Sequence, residues 1–341
     1  MKLMPAVLAV AVIATAGTGC GGEESTGAAG GEPAPSKPLE AVTVRTAYQF
    51  NAYDIPLAVA KEQGFYEKQG LDVTVALGTG SSATIATVAG GRDDFGSTDM
   101  GTTVTAIANQ DVPVKTIGVY LQKTPMGFIY KGDGFSVKDL PNRTVISSAG
   151  AAELTILPAV LKQAGLSEDD VKIRLVNIQS RVPLLLKTPD AVLLGFATGD
   201  LLRAQLKDPS IGYDSYLNHG IQVYGIGLIA GQRLIDSDPD KVRSFVTATS
   251  EGWQYMLDHP EEAIDIAVKA FPDVDRELLQ KGMDVILDDQ VHTEATAGMP
   301  LGQSAESDWK AMVDLLTDLG VLTSEKPLDR YFTNEFIDGA S

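Results

Sequence analysis

Short apolar, β-branched runs alternate with stretches whose apolar positions recur every three or four residues. That alternation predicts βαβ units on mostly parallel sheets, an α/β chain. A first series places strands at 42–48, 71–77, 94–97 and 114–121, with helices at 57–63 and about 82–90. It ends near Thr124-Pro125. A second series places strands at 143–147, 172–176 and 191–196, with helices at 154–164 and 182–186, and ends at 221–224. From Pro239 the pattern is wholly helical. Val242, Phe245, Val246, Thr249, Trp253 and Met256 share one face of a helix over 239–257. Pro260 opens the next, 261–271, at a first-turn position where its missing N–H costs little. Further helices start at Asp275 and Asp308, and no repeat of fixed period is visible.

The first 19 residues read as a secretory signal: Lys2, a nearly unbroken Ala/Val/Leu/Ile run, then Gly17-Thr18-Gly19. The run is well below the ~20 residues that span a bilayer. Cys20, the only cysteine, follows at once. The residues before it resemble the lipobox of bacterial lipoproteins, although Gly17 stands where that motif usually has an aliphatic. The resemblance implies a lipid on Cys20, whose on the order of 30 methylenes at ~0.8 kcal/mol each would anchor it almost permanently. An ordinary signal peptide with an incidental cysteine is the alternative. Residues 21–38 hold no aromatic or large aliphatic side chain, so 20–39 reads as a disordered tether.

Composition narrows the function. The roughly 300 remaining residues exceed a usual single core and suggest two domains. No cysteine follows position 20, which leaves no internal disulfide and no thiol catalysis. A net charge of −18 argues against nucleic acid or anionic lipid as a partner. His219, His259 and His292 have no metal-ligand spacing, and no phosphate-binding or serine-elbow motif occurs. No metal and no cofactor is expected, and no enzymatic activity.

At AKEQGFYEKQGLDV (60–73) the chain resembles the periplasmic binding proteins that serve ABC importers for sulfonates, taurine, nitrate and thiamine pyrimidine precursors. GTGSSA (78–83), GRDDFGSTD (91–99) and the helical run 239–270 extend the resemblance to about 42–325. Family members often carry His-x-Pro after the first strand; here the loop reads Tyr48-Gln49-Phe50-Asn51-Ala52-Tyr53. The resemblance implies a two-lobed periplasmic binding protein fold of type II. Lobe 1 would be 40–127 plus 228–341 and lobe 2 128–227, with two hinge crossings near 126–131 and 224–230. It also implies a monomer that captures a small solute by hinge closure and hands it to a permease and ATPase complex. Membrane contact would run only through the lipid.

Open α/β sheets bind ligands at strand carboxyl ends, where helix N-termini point N–H groups into the crevice. That rule nominates Tyr48, Asn51 and Tyr53 after the first strand, Ser81 and Ser82 in the Gly/Ser loop, and Thr98 and Asp99. In the second series it nominates Ser148, Ala151, Arg181, Phe196 and Tyr224. Gly/Ser loops serve equally as turns and helix caps, and a surface ion pair is the commoner fate of an arginine such as Arg181. Asp54 and Arg45 read as structural. The aromatic first loop favours a planar heterocycle or aromatic acid. A sulfonate- or nitrate-type anion held by helix N-termini and Arg181 is the alternative. A solute-sensing domain is a third reading. A pyrimidine-synthesising enzyme is a fourth, but its relatives carry a cysteine-rich motif and an active-site histidine that this chain lacks.

Overall fold

The computed structural model describes residues 38–132 and 134–337. The expected signal peptide and lipidated Cys20, and most of the tether, lie outside the described residues.

Among the described residues, ten strands form two five-stranded mixed sheets. The strands are β1 Glu40–Arg45, β2 Leu71–Ala76, β3 Phe95–Asp99, β4 Val114–Val119, β5 Met126–Lys131, β6 Thr144–Ser147, β7 Lys172–Leu175, β8 Ala191–Phe196, β9 Ile211–Ser215 and β10 Ile226–Gly231. The first sheet has the order β2-β1-β3-β10-β4 and the second β7-β6-β8-β5-β9. In each, three parallel strands are followed by one antiparallel strand that has just come across from the other sheet: β10 in the first, β5 in the second.

The residues expected to form the crossings are therefore strands. Met126–Lys131 is hydrogen-bonded on both sides, to β8 and β9, and Ile226–Gly231 to β3 and β4. The chain leaves the first sheet after Val119 and the second after Ser215, so the crossings are 120–125 and 216–225. They run side by side: Gly225 N–H donates to Leu121 O at 2.9 Å. A Cβ on Gly225 would stand 2.7 Å from Lys123 O, so only glycine allows that approach. Strand β9 had no counterpart in the sequence pattern, where the series was expected to end at 221–224.

The helix Met100–Gln110 was also unforeseen, because its threonines and valine favour strands. Asp99 caps it, accepting from Thr102 N–H at 2.8 Å, and Thr103 and Thr105 donate back to the carbonyls four residues earlier. This helix packs on Ala152–Gln163 of the second half so closely that a Cβ on Gly101 would lie 2.8 Å from Ile156 Cδ1. One apolar core thus continues from the first half into the second.

The helix Pro239–Asp258 buries the face read from its spacing, including Val242, Phe245, Trp253 and Met256. Phe245 stacks on Phe95 with ring centroids 3.9 Å apart. No helix among the described residues is long and apolar enough to cross a membrane. None of their His, Cys, Asp and Glu side chains gather in threes to hold a metal ion.

Candidate functional site

The loop after β1 turns sharply because Asn51 and Asp54 cap each other's backbone: Asn51 N–H donates to Asp54 Oδ2 and Asp54 N–H to Asn51 O, both at 2.9 Å. The turn carries Tyr48, Asn51 and Tyr53 to the carboxyl ends of the strands. Asn51 Nδ2 donates to Tyr53 Oη at 3.0 Å, which fixes the amide with its oxygen outward. That oxygen accepts from Arg203 of the second half at 3.3 Å.

Arg181 faces this loop from the helix Ile178–Lys187, whose cap is Asn177. It is only 1% exposed, so its charge needs partners in place of water. Nη2 stands 2.8 Å from Asp200 Oδ2 and 2.7 Å from Glu153 Oε1, and also donates to Leu194 O. Nη1 donates to Tyr48 Oη at 2.6 Å. Burial works against the guanidinium charge, but Asp200 and Glu153 outweigh it and hold Arg181 ionised. Burial also lifts Glu153 above the usual carboxylate range despite Arg181. It pushes the Tyr48 phenol up to about 12 against the opposing pull of Arg181. Asp54, fully enclosed, is likewise held well above its ordinary value by burial.

These groups enclose a cavity of about 30 Å³, room for one or two waters or the edge of a ligand. Tyr48, Asn51, Tyr53 and Ser81 line it from the first half, and Glu153, Arg181, Phe196, Asp200 and Arg203 from the second. Tyr53 and Phe196 meet with ring centroids 6.5 Å apart. Asp200 and Arg203 also border a larger groove of about 760 Å³, walled by Phe50, Leu77, Val182, Leu186, Val274 and Leu278. The groove is the larger space but mostly apolar, whereas the small cavity gathers the convergent polar groups.

Six of the twelve nominated residues thus meet in one place: Tyr48, Asn51, Tyr53, Ser81, Arg181 and Phe196. The others do not line the cavity. Ser82 opens onto a separate shallow groove beside Thr155. Thr98 is bonded to Thr103 at 3.0 Å, and Asp99 is occupied as a helix cap. Ser148 and Ala151 belong to the turn before Ala152–Gln163, with Ala151 N–H on Ser148 O. Tyr224 is remote: its hydroxyl accepts from Ala305 N–H at 3.1 Å and its ring meets Trp309 edge-on. The Gly/Ser loop and its counterpart touch directly. Gly80, at φ +142°, has no room for a Cβ, which would stand 2.8 Å from Gly150 O. Arg45 is paired twice with Asp93, at 2.6 and 3.0 Å, in keeping with a structural role.

Sequence reasoning missed Glu153, Asp200 and Arg203. Glu153 sits in the first turn of a helix, where an acid usually serves the helix dipole. Asp200 lies four residues past the nominated Phe196, in the wide π-turn Ala197–Leu201 that interrupts the start of the next helix. Such bulges are frequent at functional sites but leave no periodic mark.

Among known proteins, the riboflavin-binding protein RibY of Chloroflexus aurantiacus is 26% identical over 324 residues, 91% of this chain and 90% of that protein. The formylaminopyrimidine-binding protein of Halalkalibacterium halodurans is 22% identical over 286 residues, 82% and 85% of the two chains. The 4-amino-5-hydroxymethyl-2-methylpyrimidine phosphate synthase of Legionella pneumophila is 26% identical over 262 residues, 70% and 77%. Among solved structures, the alkanesulfonate-binding protein SsuA of Xanthomonas axonopodis superposes with a TM-score of 0.67 at 12% identity, covering 87% of this chain and 99% of that one. The shared fold is that of the periplasmic binding proteins. The model of the family described as NMT1/THI5 like matches residues 51–263, and with well over half of the sequence inside that match, the chain belongs to the NMT1/THI5-like family.

Proposed function

We propose that this is an exported solute-binding protein that captures a small planar organic molecule between its two sheets and delivers it to an ABC importer. The observation that carries this reading is the meeting of Tyr48, Asn51 and Tyr53 with Arg181, Phe196, Asp200 and Arg203 at the strand ends, beside an apolar groove. Lobes of 40–127 plus 228–341 and 128–227 would close on the solute, and Cys20 would tether the protein through a lipid. Only a ligand that binds the closed form better can drive closure.

The relatives that bind riboflavin and formylaminopyrimidine make flavins and pyrimidines the first solutes to test. Catalysis like that of the synthase is disfavoured because no cysteine follows position 20 and no histidine lines the cavity. An alkanesulfonate is the second reading, suggested by SsuA. Against it, the contact of Gly80 with Gly150 takes up the space between the two loops that would supply helix N-termini.

Calorimetry with pyrimidines, flavins, aromatic acids and alkanesulfonates tests the reading. Binding of a planar solute that is lost in Tyr48→Ala and Tyr53→Ala is expected. Sulfonate binding that survives both changes but vanishes in Arg181→Ala would reverse it. Cys20→Ser should release the protein from the membrane fraction; retention there would remove the lipid.

A further inference from the structure

The cavity of about 30 Å³ between Tyr48 and Arg181 has room for one or two waters. An aromatic ring needs several times that space, so the ring of a captured solute must lie elsewhere. Asp200 and Arg203 border both this cavity and the groove of about 760 Å³, which makes the groove the adjoining space. Its size falls within the roughly 300–1,000 Å³ of sites for drug-sized ligands. The halves already meet beside it, at Tyr48–Arg181, Asn51–Arg203 and Gly80–Gly150, so the groove is room that remains with those contacts made. Phe50, Leu77 and Leu278 line it from the first half, and Val182, Leu186 and Leu206 from the second. Leu77, at the end of β2, is 46% exposed, a large apolar side chain left in water. The charged residues on the lining balance in number, Lys187, Arg203 and Lys207 against Asp200, Asp273 and Asp275. Net charge therefore favours neither an anion nor a cation there, and apolar surface is what the groove offers.

Resting on the reading above that a planar solute binds between the sheets, we propose that this groove is a subsite for an apolar body larger than a single ring. The solute is then an amphiphile, a fused-ring or alkyl-substituted aromatic molecule. Its polar edge sits at the boundary marked by Asp200 and Arg203, and its apolar body lies between the two leucine-lined walls. The occupant follows from continuity with the polar cavity, from volume and from the apolar lining. A bare pyrimidine would fill one end of the groove and leave most of those walls in water. Each further methylene that the groove buries strengthens binding roughly fourfold. Walls from both halves meet the same body, so its burial also favours the form in which the halves are together. Leu77 and Leu186, on opposite walls and outside the small cavity, are thus specificity-determining residues that select for apolar bulk.

The test uses the full chain and calorimetry with graded probes. These are 4-aminopyrimidine and benzoate, each carrying an alkyl chain of one to four carbons at each free ring carbon in turn, and three-ring lumichrome. At least one alkyl series should gain twofold or more in affinity with each added methylene. If lumichrome or a short-chain probe binds but no series gains twofold per methylene, the apolar subsite is overturned and planar-solute capture stands. In the double variant Leu77→Gln, Leu186→Gln the gain per methylene should shrink, while the one-carbon probes keep their affinity within a few-fold. A gain that stays the same in that variant would place the chain outside the groove and overturn the inference. Should the double variant fail to fold, Leu77→Gln alone, at a side chain already 46% exposed, makes the same comparison. Binding by none of the ring probes would overturn the planar-solute reading, and this inference with it.

Discussion

Asp99 caps the helix Met100–Gln110 with a carboxyl that has no exposure, and burial pushes its pKa from 3.8 to about 7. Below pH 3.8 the folded and unfolded chains both carry the proton. Between 3.8 and 7 only the unfolded chain has lost it, so stability falls as pH rises through that window and levels off above it. One such group changes stability by at most about 1.4 kcal/mol per pH unit. Asparagine caps as well as aspartate. Urea midpoints at pH 5 and pH 7 should therefore differ less in Asp99→Asn than in the parent; equal differences would show that Asp99 does not titrate there. Tyr224→Phe removes the acceptor for Ala305 N–H, which should cost about 1 kcal/mol and leave solute binding unchanged. A change in affinity would put Tyr224 back in the site. The residue scale is also where the sequence was least informative. Tyr48 and Tyr224 both follow apolar runs, yet one meets Arg181 and the other Trp309, because each side chain's partner comes from a distant segment.

Among the elements, those with a strong local period were legible. The helix Pro239–Asp258 and the strand Ala191–Phe196 lie almost where their spacing put them. The helix Met100–Gln110 was hidden because its cap and threonine back-bonds override a strand-like composition. Strands β5 and β10 were read as crossings, since nothing local distinguishes a strand that finds neighbours on both sides from a linker that finds none. At the meeting of the Gly/Ser loops, Gly80→Ala would bring a Cβ to within 2.8 Å of Gly150 O at a φ of +142°, which side chains rarely adopt. The variant should hold the two halves apart and weaken solute affinity roughly tenfold or more, with a smaller loss of stability. Unchanged affinity would show that this contact is not needed for the bound form.

For the whole molecule, Tyr48–Arg181, Asn51–Arg203 and Gly80–Gly150 join the halves around the cavity. A solute that shifts the population from mostly open to mostly closed must supply about 5.5 kcal/mol of differential binding. Small-angle scattering should show the radius of gyration fall on saturation with solute; an unchanged radius would rule out hinge closure. The sequence alone determined the α/β pattern, the long amphipathic helix, the exclusion of thiol chemistry and the first loop as a binding candidate. Each of these depends on neighbours within a few positions or on composition. Only the tertiary structure decided that Arg181 is a buried ion pair, that Glu153, Asp200 and Arg203 join it, and that β5 and β10 are strands within the sheets, with the crossings just before them. Those outcomes rest on contacts between residues up to about 150 positions apart, such as Asn51 and Arg203, and no local period records them.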